Sequence, residues 1–226
     1  MNEIIRDFLT RDYENRISEN LLEYNYEFPE QEVRDYVSRV IDQPISEILD
    51  ALSSKTKDTA ATSNILLQFS SLDDATNNLC AKIEEENNPG LTAEETGRLL
   101  LCDEQAKTKL AYRKYGENHA KAAAALGIVY DVMNVYFLSC VGMIYNQLND
   151  GDRNKILTRL VLRTDEIALL YKKYSKQKIV NAREFMSVLS DSTYRRRRSN
   201  LRRLLRVLAD SKEYDFSEFL NSIVIE

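Results

Sequence analysis

Few helix breakers, a single histidine and no tryptophan distinguish this sequence before any motif is considered. The 226 residues include only six glycines and three prolines, so long stretches can form helices without interruption. His119 is the single histidine, and the three cysteines, Cys80, Cys102 and Cys140, are widely separated. These residues do not have the spacing of a zinc site, and three cysteines do not form a disulfide framework. We therefore expect no bound metal and three buried free thiols.

The residues that common catalytic mechanisms require are missing or isolated. The sequence has no glycine-rich phosphate loop and no nucleophile elbow. His119 lies near Glu117, but at a predicted helix start in an alanine-rich stretch, which favours a surface or capping role. The carboxylate clusters at 73-74 and 84-86 are typical of a solvated helix surface, although a nuclease that gathers carboxylates from separate elements stays an open alternative. The sequence thus predicts a protein without enzymatic activity and without a cofactor.

Long hydrophobic runs are also absent. The most apolar stretch, 132-148, is too short to cross a membrane and is interrupted by polar residues, namely Asn134, Ser139, Asn146 and Gln147. Residues 1-7 lack the basic start and apolar core of a signal peptide. We therefore predict a cytoplasmic protein that does not bind a membrane.

The sequence does contain helical periodicity along nearly its whole length. Apolar residues recur every three or four positions, which predicts an all-α, bundle-like fold. The predicted helices are near 4-22, 29-41, 45-52, 59-87, 92-115, 120-126, 130-148, 153-161, 164-175, 181-189, 192-210 and 215-221. Thr92 and Glu95 have the spacing of a capping box, and Gly116 and Gly127 are predicted helix ends. Only 222-225 favours a strand.

Charge is divided into blocks along the chain. Residues 1-100 contain 9 Lys and Arg against 21 Asp and Glu, whereas residues 151-206 contain 16 against 5. A polar turn at 84-90 separates two helical stretches. We therefore predict an acidic helical region over 1-90 and a helical core over 91-226, which includes a basic, helix-turn-helix-like segment at 179-208.

One stretch of small residues resembles a helix-turn-helix module. Residues 116-128 look like a positioning helix followed by a tight Leu-Gly-Ile turn, which would place the next predicted helix, 130-138, in a DNA groove. That helix contains no Lys or Arg, whereas a recognition helix normally carries several. Close packing through the alanines is the favoured interpretation. The aromatic helix over 130-148 is then expected to be core or the seam of a homodimer.

A second candidate has the charge that the first lacks. Residues 179-195 suit a short helix, a polar turn at 190-192 and the start of a second helix. Seven arginines fall within the twelve residues 195-206. At about 100° per residue, six of them share one side of the helix, while Arg197 points toward the apolar side. The apolar side consists of Tyr194, Leu201, Leu204, Leu205 and Leu208.

This arginine-rich helix is the candidate binding site. Arginine forms bidentate hydrogen bonds with phosphates and base edges, and hydroxyl and amide side chains add further contacts. The predicted nucleic-acid-binding residues are Arg195, Arg196, Arg198, Arg202, Arg203, Arg206, Ser192, Thr193, Ser199 and Asn200. The leading hypothesis is a non-enzymatic regulatory or accessory protein that binds double-stranded DNA.

Two other interpretations stay open. Charged helix faces are often simply solvated, and the arginines could instead pair with the acidic region of the same chain. In the second case the protein would be an adaptor, in which the acidic region over 1-90 docks a partner protein. Whether the arginine helix faces solvent or this acidic region decides between the interpretations.

Overall fold

The computed structural model of the protein describes residues 30-86, 90-101 and 108-225. These residues are mostly helical, which confirms the predicted helical character. The all-α expectation needs correction, because two small sheets are present as well. The first predicted helix, 4-22, lies outside the described residues.

Twelve helices and five short strands follow one another within the described residues. The helices are α1 (Glu30–Asp42), α2 (Ile45–Lys55), α3 (Leu72–Ala75), α4 (Asn77–Glu85), α5 (Ala93–Leu100), α6 (Lys109–Ala125), α7 (Cys140–Tyr145), α8 (Asp150–Leu162), α9 (Asp165–Gln177), α10 (Ala182–Phe185), α11 (Asp191–Ala209) and α12 (Ser217–Asn221). The strands are β1 (Leu91–Thr92), β2 (Val129–Val132), β3 (Val135–Leu138), β4 (Val180–Asn181) and β5 (Ile223–Val224). The first three form an antiparallel sheet in the order β1-β3-β2, and β4 pairs with β5 in parallel.

One hydrophobic cluster fills the interior and extends from α1 to α12. Val37, Leu52, Ile83, Leu160 and Phe219 are among its buried members. Complete burial of such a side chain contributes about 1.5–3 kcal/mol relative to exposure. The cluster includes residues on both sides of position 90, and the division into 1-90 and 91-226 stays a prediction.

Helices α5 and α6 approach each other closely, with a glycine on each helix at the contact. A Cβ atom on Gly97 would lie 2.0 Å from the carbonyl oxygen of Tyr112, and one on Gly116 would lie 1.9 Å from that of Ala93. The prediction that Gly116 ends a helix is wrong, because Gly116 lies inside α6 and permits this contact. The predicted capping box at Thr92–Glu95 is confirmed at the start of α5.

A β-hairpin replaces most of the helix predicted over 130-148. Met133 and Asn134 join β2 to β3 with φ angles of 53° and 65°, as in a type I′ turn. Asp131 Oδ1 accepts a hydrogen bond from Asn134 N at 2.7 Å. The helical prediction is wrong because the Val, Tyr and Phe residues here favour strands. Only α7 remains of the predicted helix. A homodimer contact through 130-148 stays a prediction.

The first helix-turn-helix candidate, over 116-138, is wrong for the same reason. Residues 116-125 belong to α6, and residues 130-138 form the hairpin. Gly127 does follow the helix end as predicted, with a φ of 75°. The chain therefore turns after α6 into a strand rather than into a recognition helix.

An irregular segment over 57-71 replaces the first part of the long helix predicted over 59-87. Thr, Ser and Asn are frequent there, and their side chains compete with helical hydrogen bonds. Distant side chains bind the backbone of this segment instead. Glu166 accepts from Leu67 N at 3.0 Å, and Asn200 donates to Leu67 O at 2.9 Å. The prediction is wrong over 59-71, and the remainder of the predicted helix is divided into α3 and α4.

The C-terminal elements agree best with the prediction. The predicted helices near 153-161, 164-175 and 192-210 are α8, α9 and α11. The helix predicted over 181-189 is shorter than expected, because only α10 is helical before a turn. The strand expected at 222-225 is β5, and its pairing with β4 fixes the chain directly before α10.

Candidate nucleic-acid interface

Helix α11 is anchored to the core along one face. Ser190 is its N-cap, and the Ser190 hydroxyl accepts a hydrogen bond from Thr193 N at 3.4 Å. The side chains predicted to be apolar anchors are all buried, namely Tyr194, Leu201, Leu204, Leu205 and Leu208. These buried positions recur every three or four residues, so the remaining positions of the helix are turned away from the core.

Five arginines of α11 form an exposed surface, which we call the arginine surface. Its members are Arg195, Arg196, Arg202, Arg203 and Arg206. Among the described residues, no carboxylate forms an ion pair with any of the five. Arg202 donates to the Ile225 carbonyl oxygen at 3.3 Å, and Arg203 donates to Ser199 Oγ at 3.3 Å. Within the part of the chain that the structure describes, these hydrogen-bond partners of Arg202 and Arg203 are therefore neutral oxygen atoms.

Arg198, which was predicted to belong to the outward set, is half-buried at the edge of the arginine surface. Its guanidinium carbon lies 5.7 Å from the centre of the Tyr194 ring. Arg183 of α10 lies over the same ring at 4.8 Å and forms an ion pair with Asp191 at 2.5 Å. Contacts of this kind contribute about 0.5–1 kcal/mol at exposed sites. Tyr194 thus links the short helix α10 to the start of α11.

Arg197 points inward, as its helical position predicts. It is half-buried and donates to the Ser63 carbonyl oxygen at 3.2 Å. Burial lowers the pKa of the Arg197 guanidinium, and the nearby charge of Glu166 opposes this effect. Arg197 therefore holds the 57-71 segment and is not part of the arginine surface.

Glu166 is fully buried beneath this region and has no exposed fraction. Its Oε2 accepts a hydrogen bond from Leu67 N at 3.0 Å, whereas its Oε1 has no hydrogen-bond partner. Burial raises the pKa of the Glu166 carboxyl to about 8, against the opposing effects of the Leu67 hydrogen bond and Arg197. Sequence reasoning missed Glu166, since nothing in the pattern of α9 separates it from a surface glutamate.

The four polar residues predicted as contacts occupy different environments. Ser192 and Ser199 are exposed, and Thr193 is half-buried. Asn200 is buried, with 3% of its surface exposed. Its amide nitrogen donates to Leu67 O at 2.9 Å, and its Oδ1 accepts from Arg203 at 3.0 Å. Asn200 is therefore removed from the predicted set, because both ends of its amide are used inside the protein.

His119 is buried rather than at the surface where it was expected. Its Nδ1 lies 2.8 Å from the Tyr115 carbonyl oxygen, which requires the proton on Nδ1. Its Nε2 can then accept from Ser70 N at 3.2 Å and Ser71 N at 3.4 Å. Burial lowers the pKa of the His119 imidazole. The expected surface or capping role is wrong, because His119 lies inside α6 and binds the backbone of the 57-71 segment.

The cysteine, metal and membrane predictions concern other parts of the chain. Cys80 is a buried free thiol, and burial raises its pKa to about 12. Cys102 and the side chain of Cys140 lie outside what the structure describes. Within 30-86, 90-101 and 108-225, no group of three or more His, Cys, Asp or Glu residues could hold a metal ion. In the same ranges, every helix is too short or too polar to cross a membrane.

No protein-family model, curated protein sequence or solved structure matches this chain. The arginine surface and the charges around it are the features of the described residues that bear on function.

Proposed function

We propose that this protein binds duplex DNA through the arginine surface, as a regulatory or accessory factor without enzymatic activity. The observation that carries the proposal is the exposure of five guanidinium groups on one face of a helix whose other face is anchored in the core. A rigid helix is a suitable support for such a surface, since it fixes the spacing of the charges.

The charge density of the surface favours a polyanionic ligand. Twelve helical residues span about 17 Å at a rise of about 1.5 Å per residue. Over that length duplex DNA carries about 10 phosphate charges, or one per 1.7 Å. Without a ligand, the five arginines repel one another and gain no ion pair from the described residues. Binding to DNA phosphates would replace this repulsion with attraction.

The shape of the region favours DNA over double-stranded RNA. The major groove of B-form DNA admits an α-helix, whereas the corresponding groove of A-form RNA is too narrow for side chains to read. The order of α10, turn and α11 is the order of a helix-turn-helix, in which the second helix enters the groove. Ser192 and Ser199 are exposed on the same helix and can add contacts to phosphate oxygens.

The adaptor alternative requires carboxylates that pair with the arginines inside the chain. Within the part of the chain that the structure describes, such carboxylates do not reach the arginine surface. This observation supports DNA binding over internal pairing. Residues 1-29, which hold part of the acidic region, lie outside the described residues.

The proposal is tested by measuring the affinity of the full chain for a labelled duplex DNA. We expect weaker binding when Arg195, Arg196, Arg202 and Arg206 are all changed to Ala, because four phosphate contacts are lost. A variant with the same four residues changed to Lys is the matched control. It keeps the charge and should retain more affinity than the Ala variant.

An RNA duplex of the same sequence is the second control, and it should bind more weakly than DNA. Equal DNA affinity of the wild type and the Ala variant would overturn the proposal. So would the absence of DNA binding by the wild type.

A further inference from the structure

Helices α6 and α11 begin in the same way. In each, a hydroxyl residue caps the helix and is followed four positions later by a tyrosine and two cations. The matching segments are Thr108-Lys109-Leu110-Ala111-Tyr112-Arg113-Lys114 and Ser190-Asp191-Ser192-Thr193-Tyr194-Arg195-Arg196. Thr108 Oγ1 accepts from Ala111 N at 3.2 Å, and Ser190 Oγ accepts from Thr193 N at 3.4 Å. Both caps satisfy an amide group at the helix start that lacks a helical partner.

The tyrosine is held in the same manner in both segments. Tyr112 and Tyr194 are buried, with 3% and 7% of their surface exposed. A guanidinium from the preceding helix lies over each ring, Arg98 at 4.7 Å and Arg183 at 4.8 Å. Each of these arginines also forms an ion pair, Arg98 with a glutamate at 3.0 Å and Arg183 with Asp191 at 2.5 Å. The inward tyrosine fixes the rotation of each helix about its axis.

With the tyrosine fixed inward, the next two side chains of each helix are exposed. Arg113 and Lys114 are exposed on α6, as Arg195 and Arg196 are on α11. Within the described ranges, Arg113 and Lys114 form no ion pair, although the charge of Arg113 helps to lower the pKa of the Glu117 carboxyl after the larger effect of Lys121. Glu117 pairs with Lys121 at 2.5 Å, and Glu94 pairs with Arg98 at 3.0 Å and with Lys109 at 3.2 Å.

The elements around the two helices also follow the same order. Each unit consists of a two-residue strand, a capped short helix and a long helix. The first unit is β1, α5 and α6, and the second is β4, α10 and α11. In both cases a later strand pairs with the first one, β3 with β1 and β5 with β4. The sequence shows no repeat of fixed period, because the connections between these elements differ in length.

We propose that α6 presents a second DNA-binding surface, formed by Lys109, Arg113 and Lys114, so that one chain contacts duplex DNA with two equivalent helices. This inference rests on the function proposed for α11. It extends that function because the first unit has the same cap, the same anchored tyrosine and the same pair of exposed cations directly after the tyrosine. The ligand chemistry is again the phosphate backbone, which is read by cations at the start of a helix.

The test measures the affinity of three double variants of the full chain for duplex DNA at several salt concentrations. The variants are Arg113→Ala with Lys114→Ala, Arg195→Ala with Arg196→Ala, and the control Arg39→Ala with Lys212→Ala. The control removes one exposed Arg, on α1, and one exposed Lys, in the bend that follows α11. The measured quantity is the salt slope, which is the steepness with which the logarithm of DNA affinity falls with the logarithm of salt concentration. We expect each of the first two variants to reduce this slope by about 1.8, from about 0.9 per phosphate contact. The control should leave the slope unchanged. All the substituted side chains are exposed, so the melting temperatures should agree with that of the wild type.

The outcomes separate this inference from the proposed function. If the Arg195/Arg196 variant loses slope while the Arg113/Lys114 variant behaves as the control does, the second surface is overturned and the function of α11 stands. If the wild type does not bind DNA, the proposed function is overturned and the second surface with it. Loss of slope in both variants supports two surfaces in one chain.

Discussion

Three buried polar side chains hold the irregular 57-71 segment against the helices. Glu166 and Asn200 bind the amide and the carbonyl of Leu67, and His119 binds the amides of Ser70 and Ser71. A segment without regular structure must find partners for its buried backbone groups. These residues therefore act on the stability of the fold and lie behind the arginine surface.

The first prediction concerns Glu166 and pH. Its raised pKa means that the folded state favours the protonated carboxyl. The stability that the folded state gains from the protonated carboxyl is complete below the unfolded pKa of about 4.5. It is lost as the pH rises through about 8. Glu166→Gln resembles the protonated form and keeps an acceptor for Leu67 N. We expect the free energy of urea unfolding of the variant to exceed that of the wild type by more at about pH 9 than at about pH 6. The same difference at both pH values would contradict the assignment.

The second prediction concerns Asn200, which sequence reasoning placed at the DNA surface. Asn200→Ala leaves the Leu67 carbonyl without its donor and should reduce the free energy of unfolding by about 1–3 kcal/mol. The affinity for duplex DNA should stay unchanged, since the amide is buried. Ser199→Ala, at the exposed neighbouring position, is the control and should change stability by less than about 0.5 kcal/mol. Weaker DNA binding by Asn200→Ala with normal stability would restore the original interpretation.

At the scale of elements, the contact between α5 and α6 positions the first unit. Gly97 and Gly116 permit the two backbones to approach where a Cβ atom would overlap a carbonyl oxygen. The approach brings Arg98 over Tyr112 and so fixes the side of α6 that is exposed. Helix α11 is positioned by a comparable contact of Arg183 with Tyr194.

The third prediction tests this contact with Gly116→Ala. Although alanine favours a helix by about 1 kcal/mol over glycine, the overlap with Ala93 O should make the variant less stable by about 1–3 kcal/mol. Gly151→Ala is the control, because it gains the same helix propensity and its nearest neighbour is a side-chain atom, Asn149 Oδ1, at 3.1 Å. Thermal unfolding of both variants checks the prediction. Equal stability would mean that α5 and α6 can separate at little cost.

Local signals predicted those elements that local interactions determine. Two local patterns were predicted correctly. They are the capping box at Thr92–Glu95 and the leucine and arginine faces of α11, and each depends only on residues that are close in the sequence. Gly116 was assigned to a helix end because its packing against α5 is a tertiary contact, which the neighbouring residues do not reveal. The 57-71 segment was assigned to a helix because its partners, Glu166 and Asn200, lie more than 90 residues further along the chain.

The candidate site was predictable to a similar extent. Helical periodicity identified the exposed arginines and the inward Arg197, since both follow from the angle per residue. The burial of Asn200 depends on the path of the 57-71 segment, which periodicity does not contain. The cations of α6 were not considered, because the first helix-turn-helix candidate was sought over 116-138, which begins after Lys109, Arg113 and Lys114. The shared pattern of hydroxyl cap, tyrosine and two cations was the signal that could have identified them.

At the scale of the whole molecule, opposite charges are separated along the sequence, and five arginines of α11 are exposed. The chain has a net charge of -5, yet the arginine surface has no carboxylate partner among the described residues. On an acidic protein, a local positive surface attracts a polyanion such as DNA, whereas the acidic surface repels it. This arrangement favours one orientation of the protein on the duplex.

The most direct test of DNA binding by the arginine surface is the dependence of duplex affinity on salt. We predict that the log–log slope of the wild type is reduced by about 3.6 when Arg195, Arg196, Arg202 and Arg206 are changed to Ala, from four contacts at about 0.9 each. A slope that is the same in the wild type and in this variant would contradict the account.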